Sequence, residues 1–179
     1  MESALSSLII FTVGLFAAVT LSFTYLETQH ALWSAEQARE EETIERARTD
    51  LSVLAVDTQS SGSIIRVKLR NSGQTKLADF EKWDVVVEHT IELEDDEYTY
   101  AVHWLPYTAT TLQAMQWTVD GIYMNADTLT AEAFEPAILN PGEEMIVHIR
   151  VSPPVPVDSA NRVTISTDNG ISVVSGFSR

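Results

Sequence analysis

The segment SALSSLIIFTVGLFAAVTLSFTYL, residues 3–26, decides how this chain can fold. Its 24 residues lie between Glu2 and Glu27 and include no charged side chain, although the chain of 179 residues has a formal net charge of −15. Large apolar side chains surround the predicted helix on every side. A helix that is apolar all round must be buried all round, either in lipid or among other helices. The segment therefore needs burial that a single small soluble domain does not provide.

Three kinds of segment share this composition: a cleaved signal peptide, a membrane anchor and the buried core of a polymer. A signal peptide has a basic start and a shorter apolar stretch than this one. About 20 apolar residues suffice to cross a bilayer, but an anchor is normally oriented by flanking basic residues, and the first here is Arg39. One explanation is that a basic leader was removed before Met1. A leader ending in Gly would favour a polymer subunit, whereas initiation at Met1 would favour a permanent anchor.

Small residues interrupt the apolar surface at helical spacing. Gly14 and Ala18 form a small-xxx-small pair, which lets two helix backbones approach closely in lipid or in a bundle. The hydroxyl groups of the segment can bond back to carbonyl groups of the preceding turn, so that they add little to the free energy of burial. The residues predicted to pack in a filament core are Leu5, Leu8, Ile9, Phe11, Gly14, Leu15, Phe16, Ala18, Leu21 and Phe23.

The helix is predicted to continue beyond the apolar segment. No Gly or Pro occurs between Gly14 and Gly62, and the sequence up to Thr49 is rich in Ala, Glu, Gln and Arg, which favour helices. A narrow apolar stripe of Ile44, Ala47, Leu51 and Leu54 accompanies the polar residues. We therefore predict one helical region over residues 1–50, with a hydrophobic tail at 3–26 and a polar stalk at 27–50.

The hydrophobic period then changes from that of a helix to that of strands. Residues 64–70 and 143–151 alternate apolar and polar side chains, and Asn169-Gly170 between two β-rich runs is a strong hairpin signal. Further strands are predicted at 83–92, 98–104, 117–124, 162–167 and 171–176, and residues 105–136 are predicted to be an insertion with a loop or short helix. The predicted core of the head is Ile65, Val67, Leu69, Met145, Val147 and Ile149. The fold class is thus α+β, a long N-terminal helix followed by an antiparallel β-sandwich head over 51–179.

The chain offers little catalytic or ligand-binding chemistry. It has no cysteine, and its four histidines show no paired ligand spacing. The acidic run Glu92–Glu97 lacks the spaced ligands and the glycine of an EF-hand loop, and we interpret it as a solvated hairpin loop. The sequence therefore predicts a protein that is not an enzyme, with no cofactor, no metal and no small-molecule substrate. The acidic surface also argues against nucleic acid as a partner.

Several segments together resemble the archaellins, the archaeal flagellins. They are the abrupt apolar N-terminal helix with its Ala/Glu/Arg stalk, IIRVKLRNSGQTKL with its Asn-x-Gly, the Pro-Gly-Glu turn of LNPGEEMIVHI, and the closing hairpin VTISTDNGISVVSGF. The resemblance leaves out Glu92–Glu97 and residues 105–136. Leu5 stands where bacterial type IV pilins place a Glu, which disfavours an ordinary pilin.

The resemblance implies a subunit of an archaellum, an extracellular motility filament. Such a subunit loses its leader to a prepilin-type peptidase, waits in the membrane, and then polymerises with copies of itself, the tails forming a helical core and the heads the outer surface. The archaellum stator proteins are membrane-anchored sandwiches with a similar head pattern. A membrane-anchored stator or envelope-binding protein of the same machinery is therefore the alternative.

Overall fold

A computed structural model of the chain describes residues 2–92, 97–132 and 135–179, with the side chains of residues 2 and 4–6 left undescribed. The chain divides into two compact units, Met1–Ile44 and Glu45–Arg179. Helix α1 spans Glu2–Arg48, a single element of 47 residues. Every later element is a strand, a short turn of 3₁₀ helix or a loop, so the α+β fold class with a long N-terminal helix and an antiparallel sandwich is confirmed.

The described part of the second unit contains nine strands. Their bounds are β1 Leu51–Gln59, β2 Ile64–Asn71, β3 Asp84–Glu92, β4 Tyr98–Leu105, β5 Gln116–Asn125, β6 Thr130–Ala131, β7 Glu144–Arg150, β8 Ala160–Ser166 and β9 Ser172–Ser178. One sheet has the order β1-β2-β7-β5-β6 and the other has the order β4-β3-β8-β9. All described strand pairs are antiparallel.

The two sheets enclose one apolar core, and β1 lies beside β9 at one side of the sandwich. Two aromatic pairs anchor it: Phe80 meets Trp83 edge-on at 5.1 Å between ring centroids, and Tyr107 meets Trp117 edge-on at 4.9 Å. Edge-on packing places the positive edge of one ring on the negative face of the other. All buried members of the core lie between residues 51 and 177, so the second unit holds its own core.

The predicted stripe of Ile44, Ala47, Leu51 and Leu54 is wrong, because α1 ends at Arg48 and Leu51 and Leu54 lie in β1. The pairing of β1 with β2 shifts by one residue between Val53 and Ala55. This β-bulge turns Val53 and Val56, three residues apart, toward the same core, where they pair with Leu69 and Val67. Since a bulge adds one residue to the two-residue period of a strand, the apolar spacing imitates a helix.

The expectation of an insertion at residues 105–136 is also wrong. Strand β5 lies inside the five-stranded sheet, where it pairs with β7 over residues 116–123. Its pairing shifts between Val119 and Gly121, so that Val119 and Ile122 both pack on the core. No helix occurs in this stretch among the residues that the structure describes. The strand predicted at 117–124 is β5, and its bulge interrupts the alternation that would have marked it as part of the sheet.

The Asn-x-Gly and Pro-Gly-Glu segments meet in space. Pro141 and Gly142 are the central residues of a tight turn, in which Gly142 has φ of +87° and the Glu143 N–H donates to the Asn140 carbonyl at 3.0 Å. The Gly142 N–H donates to the Asn71 carbonyl at 2.8 Å, and the Asn71 N–H donates to the Glu143 carbonyl at 3.0 Å. The turn is therefore held against the end of β2.

The side chain of Asn71 completes this junction. Its amide group donates to the carbonyls of Thr75 at 2.8 Å and Leu139 at 2.9 Å, and its oxygen accepts from the Gly73 N–H at 3.1 Å. Asn71 is fully buried. The Thr-x-Leu run after Gly73 forms one isolated bridge, between Leu77 and Leu139, and no longer strand among the described residues.

The last turn of α1 ends against two loops of the second unit. The Gln74 N–H donates to the Arg48 carbonyl at 2.7 Å, and the Thr49 hydroxyl donates to the Glu45 carbonyl at 2.8 Å. In the loop between β8 and β9, the Asn169 side chain donates to the Thr49 hydroxyl at 2.8 Å. This loop forms the hairpin indicated by Asn169-Gly170, since β8 and β9 pair from Ser166 and Ser172 outward.

Candidate functional site

The largest exposed apolar surface of the described chain is the tail. Among the residues predicted to pack in a filament core, Leu8, Ile9, Phe11, Leu15, Phe16, Leu21 and Phe23 are all more than half exposed. They occupy every side of α1, and the helix is long and apolar enough to cross a bilayer by length and composition. Soluble monomers rarely expose a contiguous apolar area of this extent, so the tail is the part of the molecule that requires a partner. The side chain of Leu5 lies outside the described residues.

Five hydroxyls of the tail are hydrogen-bonded within the helix. The hydroxyls of Ser7, Thr12, Thr20, Ser22 and Thr24 each donate to the carbonyl four residues earlier, at distances between 2.8 and 3.1 Å. The backbone groups of the helix interior are likewise bonded within the helix. Packing the tail against lipid or other helices therefore leaves none of these hydroxyls unpaired.

Gly14 and Ala18 lie one turn apart on the surface of the tail, and no described atom covers Gly14. A Cβ added at Gly14 would meet nothing within 4 Å, and Ala18 is exposed. Small side chains one turn apart leave a shallow depression on a helix into which a second helix can approach. This depression is the feature of the tail that suits a helix better than it suits lipid chains.

The residues predicted as the head core lie in two neighbouring strands of the five-stranded sheet. Val67 of β2 pairs with Val147 of β7, and the other four lie two residues to either side. All six, Ile65, Val67, Leu69, Met145, Val147 and Ile149, have no exposed surface. The alternate residues Arg66, Lys68, Arg70 and Arg150 are at least partly exposed.

The histidines form one pair inside the sandwich. His89 on β3 is fully buried, its ring centroid lies 5.4 Å from that of His103 on β4, and neither of its nitrogens has a hydrogen-bond partner. Burial lowers the pKa of His89, the neighbouring His103 lowers it further, and the backbone carbonyl of Pro153 acts weakly in the opposite direction. Two imidazoles are too few for a protein zinc site, and the described residues hold no cluster of three or more metal-ligating side chains.

Residues 93–96 of the acidic run Glu92–Glu97 lie outside the described residues.

Strand β4 coincides with the strand predicted at 98–104, for which no buried face was predicted. Leu105 and His103 of β4 pair with the core residues Val85 and Val87 of β3, which turns the alternate side chains of β4 outward. We call the resulting exposed apolar area the outer-face patch. It consists of Tyr98, Tyr100, Val102 and Trp104 on β4, Val86 on β3 and Val174 on β9. The large residues at every second position of YTYAVHW were the sequence signal from which one face of large side chains on β4 could have been predicted.

Three solved structures of archaellum components are similar to this chain. The archaeal flagellum of Methanospirillum hungatei strain JF1 superposes with a TM-score of 0.51 at 14% sequence identity, covering 97% of this chain and 92% of that chain. The archaellum periplasmic stator protein FlaG from Sulfolobus acidocaldarius gives 0.49 at 19% identity, covering 72% of this chain and 99% of that chain. The FlaF and FlaG stator complex from the same organism gives 0.47 at 18% identity, over 71% and 87%.

No family model matches the sequence, and no curated protein matches it. At the identity of 14%, the match to the archaeal flagellum shows a shared fold, which includes the N-terminal helix because the alignment covers nearly the whole of both chains. The resemblance to archaellins drawn from the sequence is therefore confirmed at the level of the fold.

Proposed function

We propose that this chain is a structural subunit of a helical extracellular filament of the archaellum type. The tails of many copies pack into a helical core, and the heads form the outer surface. The observation that carries the proposal is the tail, which is apolar and exposed on every side of α1 while five of its hydroxyls are bonded within the helix. Such a surface can pack against other apolar surfaces, and its exposure to water is unfavourable.

The energy available from burying the tail is large. Removing about 1,500–2,000 Å² of apolar surface from water, at about 25 cal/mol per Å², contributes several tens of kcal/mol before conformational entropy is subtracted. A subunit with this tail is held in the membrane before assembly, because lipid is the available apolar solvent. Contacts between copies that do not close into a ring then build an open helical polymer.

Two features favour a polymer over a permanent anchor. The depression at Gly14 and Ala18 is suited to close helix packing, which a lone anchor in lipid does not need. The match to the archaeal flagellum extends over 97% of this chain, so it includes the tail as well as the head. The protein is a passive building unit in this proposal, without enzymatic activity, and it moves or adheres through the assembly of which it is part.

The test separates a polymer from an anchor by where the tail is buried. Cells are sheared, and the supernatant and the membranes are probed for the chain before and after treatment with a mild detergent. A filament subunit is expected in the supernatant as long polymers, visible by electron microscopy, which resist the detergent because their tails are already packed. Recovery only from membranes, and release by detergent as monomers or small oligomers, would replace the filament with the anchored stator or envelope-binding protein.

A further inference from the structure

The outer-face patch consists of two lines of side chains that meet at a corner, at Trp104. Along β4 the exposed side chains are Tyr98, Tyr100, Val102 and Trp104, with every second residue turned outward. Across the sheet, Trp104 pairs with Val86, Val86 with Thr164 and Thr164 with Val174. Trp104 is therefore the one residue common to both lines, and tryptophan is enriched among the residues that carry most of the binding energy of protein interfaces.

One hydrogen bond holds the ring of Trp104, and one ion pair lies between the two lines of the patch. The indole N–H of Trp104 donates to a carboxylate oxygen of Asp84 at 2.8 Å, which fixes the ring on the sheet surface. Glu88, which lies between the arms of the patch, is paired with Arg162 at 3.6 Å. The apolar side chains themselves add no repulsion between two copies of a chain whose formal net charge is −15, and the carboxylates of Asp84 and Glu92 lie at the margin of the patch.

We propose that the outer-face patch is the contact by which the head docks on the head of a neighbouring copy of this chain in the assembled filament. Its six side chains expose roughly 400–500 Å² at the fractions seen. That area is as large as the largest apolar patch of a typical monomer, which is often functional. It is smaller than the ~800 Å² per partner of a stable protein pair, so the contact forms only when another interaction holds the heads together.

The tail supplies that interaction. Heads whose tails are already packed in a common core are at a high effective concentration, where a weak contact becomes occupied. This inference rests on the proposed filament, and it adds the surface through which the heads recognise each other. The dissociated protein should therefore show an uncovered patch, and the polymer a covered one.

Labelling with a maleimide measures this difference in the full-length protein. The chain has no cysteine, so Val102→Cys introduces a single thiol within the patch. Leu129→Cys is the matched control, because Leu129 is exposed to a similar degree, 60% against 63% for Val102, and lies outside the patch. Subunits extracted from membranes before assembly should label at both positions. In filaments the labelling rate at Val102→Cys should fall severalfold, while Leu129→Cys keeps its rate.

Tryptophan fluorescence provides a second measurement in case the cysteine disturbs assembly. Trp83 and Trp117 are buried, so in a Trp33→Phe chain the exposed tryptophan is Trp104. Quenching of its emission by acrylamide should be strong in extracted subunits and weak in filaments. Filaments in which Val102→Cys labels, or Trp104 is quenched, as fast as in extracted subunits would overturn the docking contact alone. Absence of filaments from the wild-type chain would overturn the filament, and the contact with it.

Discussion

Replacing Asn71 by Ala would test whether the junction between the Asn-x-Gly and Pro-Gly-Glu segments stabilises the head. The Asn71 side chain is fully buried and makes three hydrogen bonds, to the carbonyls of Thr75 and Leu139 and from the N–H of Gly73. The substitution removes all three. Two of the partners retain another bond: the Leu139 carbonyl still accepts from Leu77, and the Gly73 N–H still donates to Asp50.

The expected loss of stability follows from the hydrogen bonds that are lost and retained. A hydrogen bond within a protein contributes about 0.5–1.5 kcal/mol net, and a buried carbonyl left unpaired costs about 1–3 kcal/mol. The Thr75 carbonyl is half-buried, so its loss costs the lower part of that range. Because two partners are compensated, we expect Asn71→Ala to lower the free energy of unfolding by about 2–4 kcal/mol. For a domain of this size such a loss lowers the melting temperature by about 6–16 °C.

The assay is thermal and denaturant unfolding of a fragment that begins at Glu45, because every buried core residue of the second unit lies within it. Asn125→Ala is the matched control. The Asn125 oxygen also accepts three hydrogen bonds, from the N–H groups of Asp127 and Thr128 and from the Thr128 hydroxyl, but on an exposed turn. Water replaces those bonds, so the control should lose about 1 kcal/mol or less. Equal losses in the two variants, or a wild-type melting temperature in Asn71→Ala, would refute the role given to burial.

Three further predictions concern the tail, the core and the buried histidine pair. Gly14→Leu should fill the depression on α1 and reduce the yield of sheared filaments. A normal yield would contradict the proposal that two helices pack closely at that site. Val67→Asp should abolish cooperative melting of the head because it buries an unpaired charge, while Val102→Asp on the exposed face should melt normally. The folded state holds the pKa of His89 below its ordinary value of 6.5, so protonation favours unfolding and stability present above that pH is lost as the pH falls below it. Stability measured from about pH 7 to 5 should therefore decline less in His89→Leu than in the wild type, and identical slopes would contradict the assignment.

Patterns within short stretches of the sequence were sufficient to predict several elements of the fold. The absence of charge and of breakers in the N-terminal part determines a long helix with an all-round apolar tail, whatever the rest of the chain does. Strict alternation identifies β2 and β7, since a two-residue period has no other regular interpretation. Pro141-Gly142 determines its turn because proline restricts φ and glycine accepts the positive φ that follows. Each of these signals is contained within a few neighbouring residues.

Other features depend on partners that are distant in the sequence. A bulge in β1 forms because Val53 and Val56 must both face a core to which β2 and β7 also contribute. The local sequence period does not predict this bulge. Asn71 and Leu139 meet because two strands place their ends side by side, although 68 residues separate them.

Strand β4 shows most directly what only the tertiary structure decided. Its own sequence places the larger side chains on the face of Tyr98, Tyr100, Val102 and Trp104, which alone would favour burial of that face. Pairing with β3 places Leu105 beside Val85 in the core, and since neighbouring residues of a strand point to opposite faces, the aromatic row must face outward. The sequence by itself determined that β4 is a strand with one large-residue face. Only the register set by its neighbour decided that this face is left on the surface.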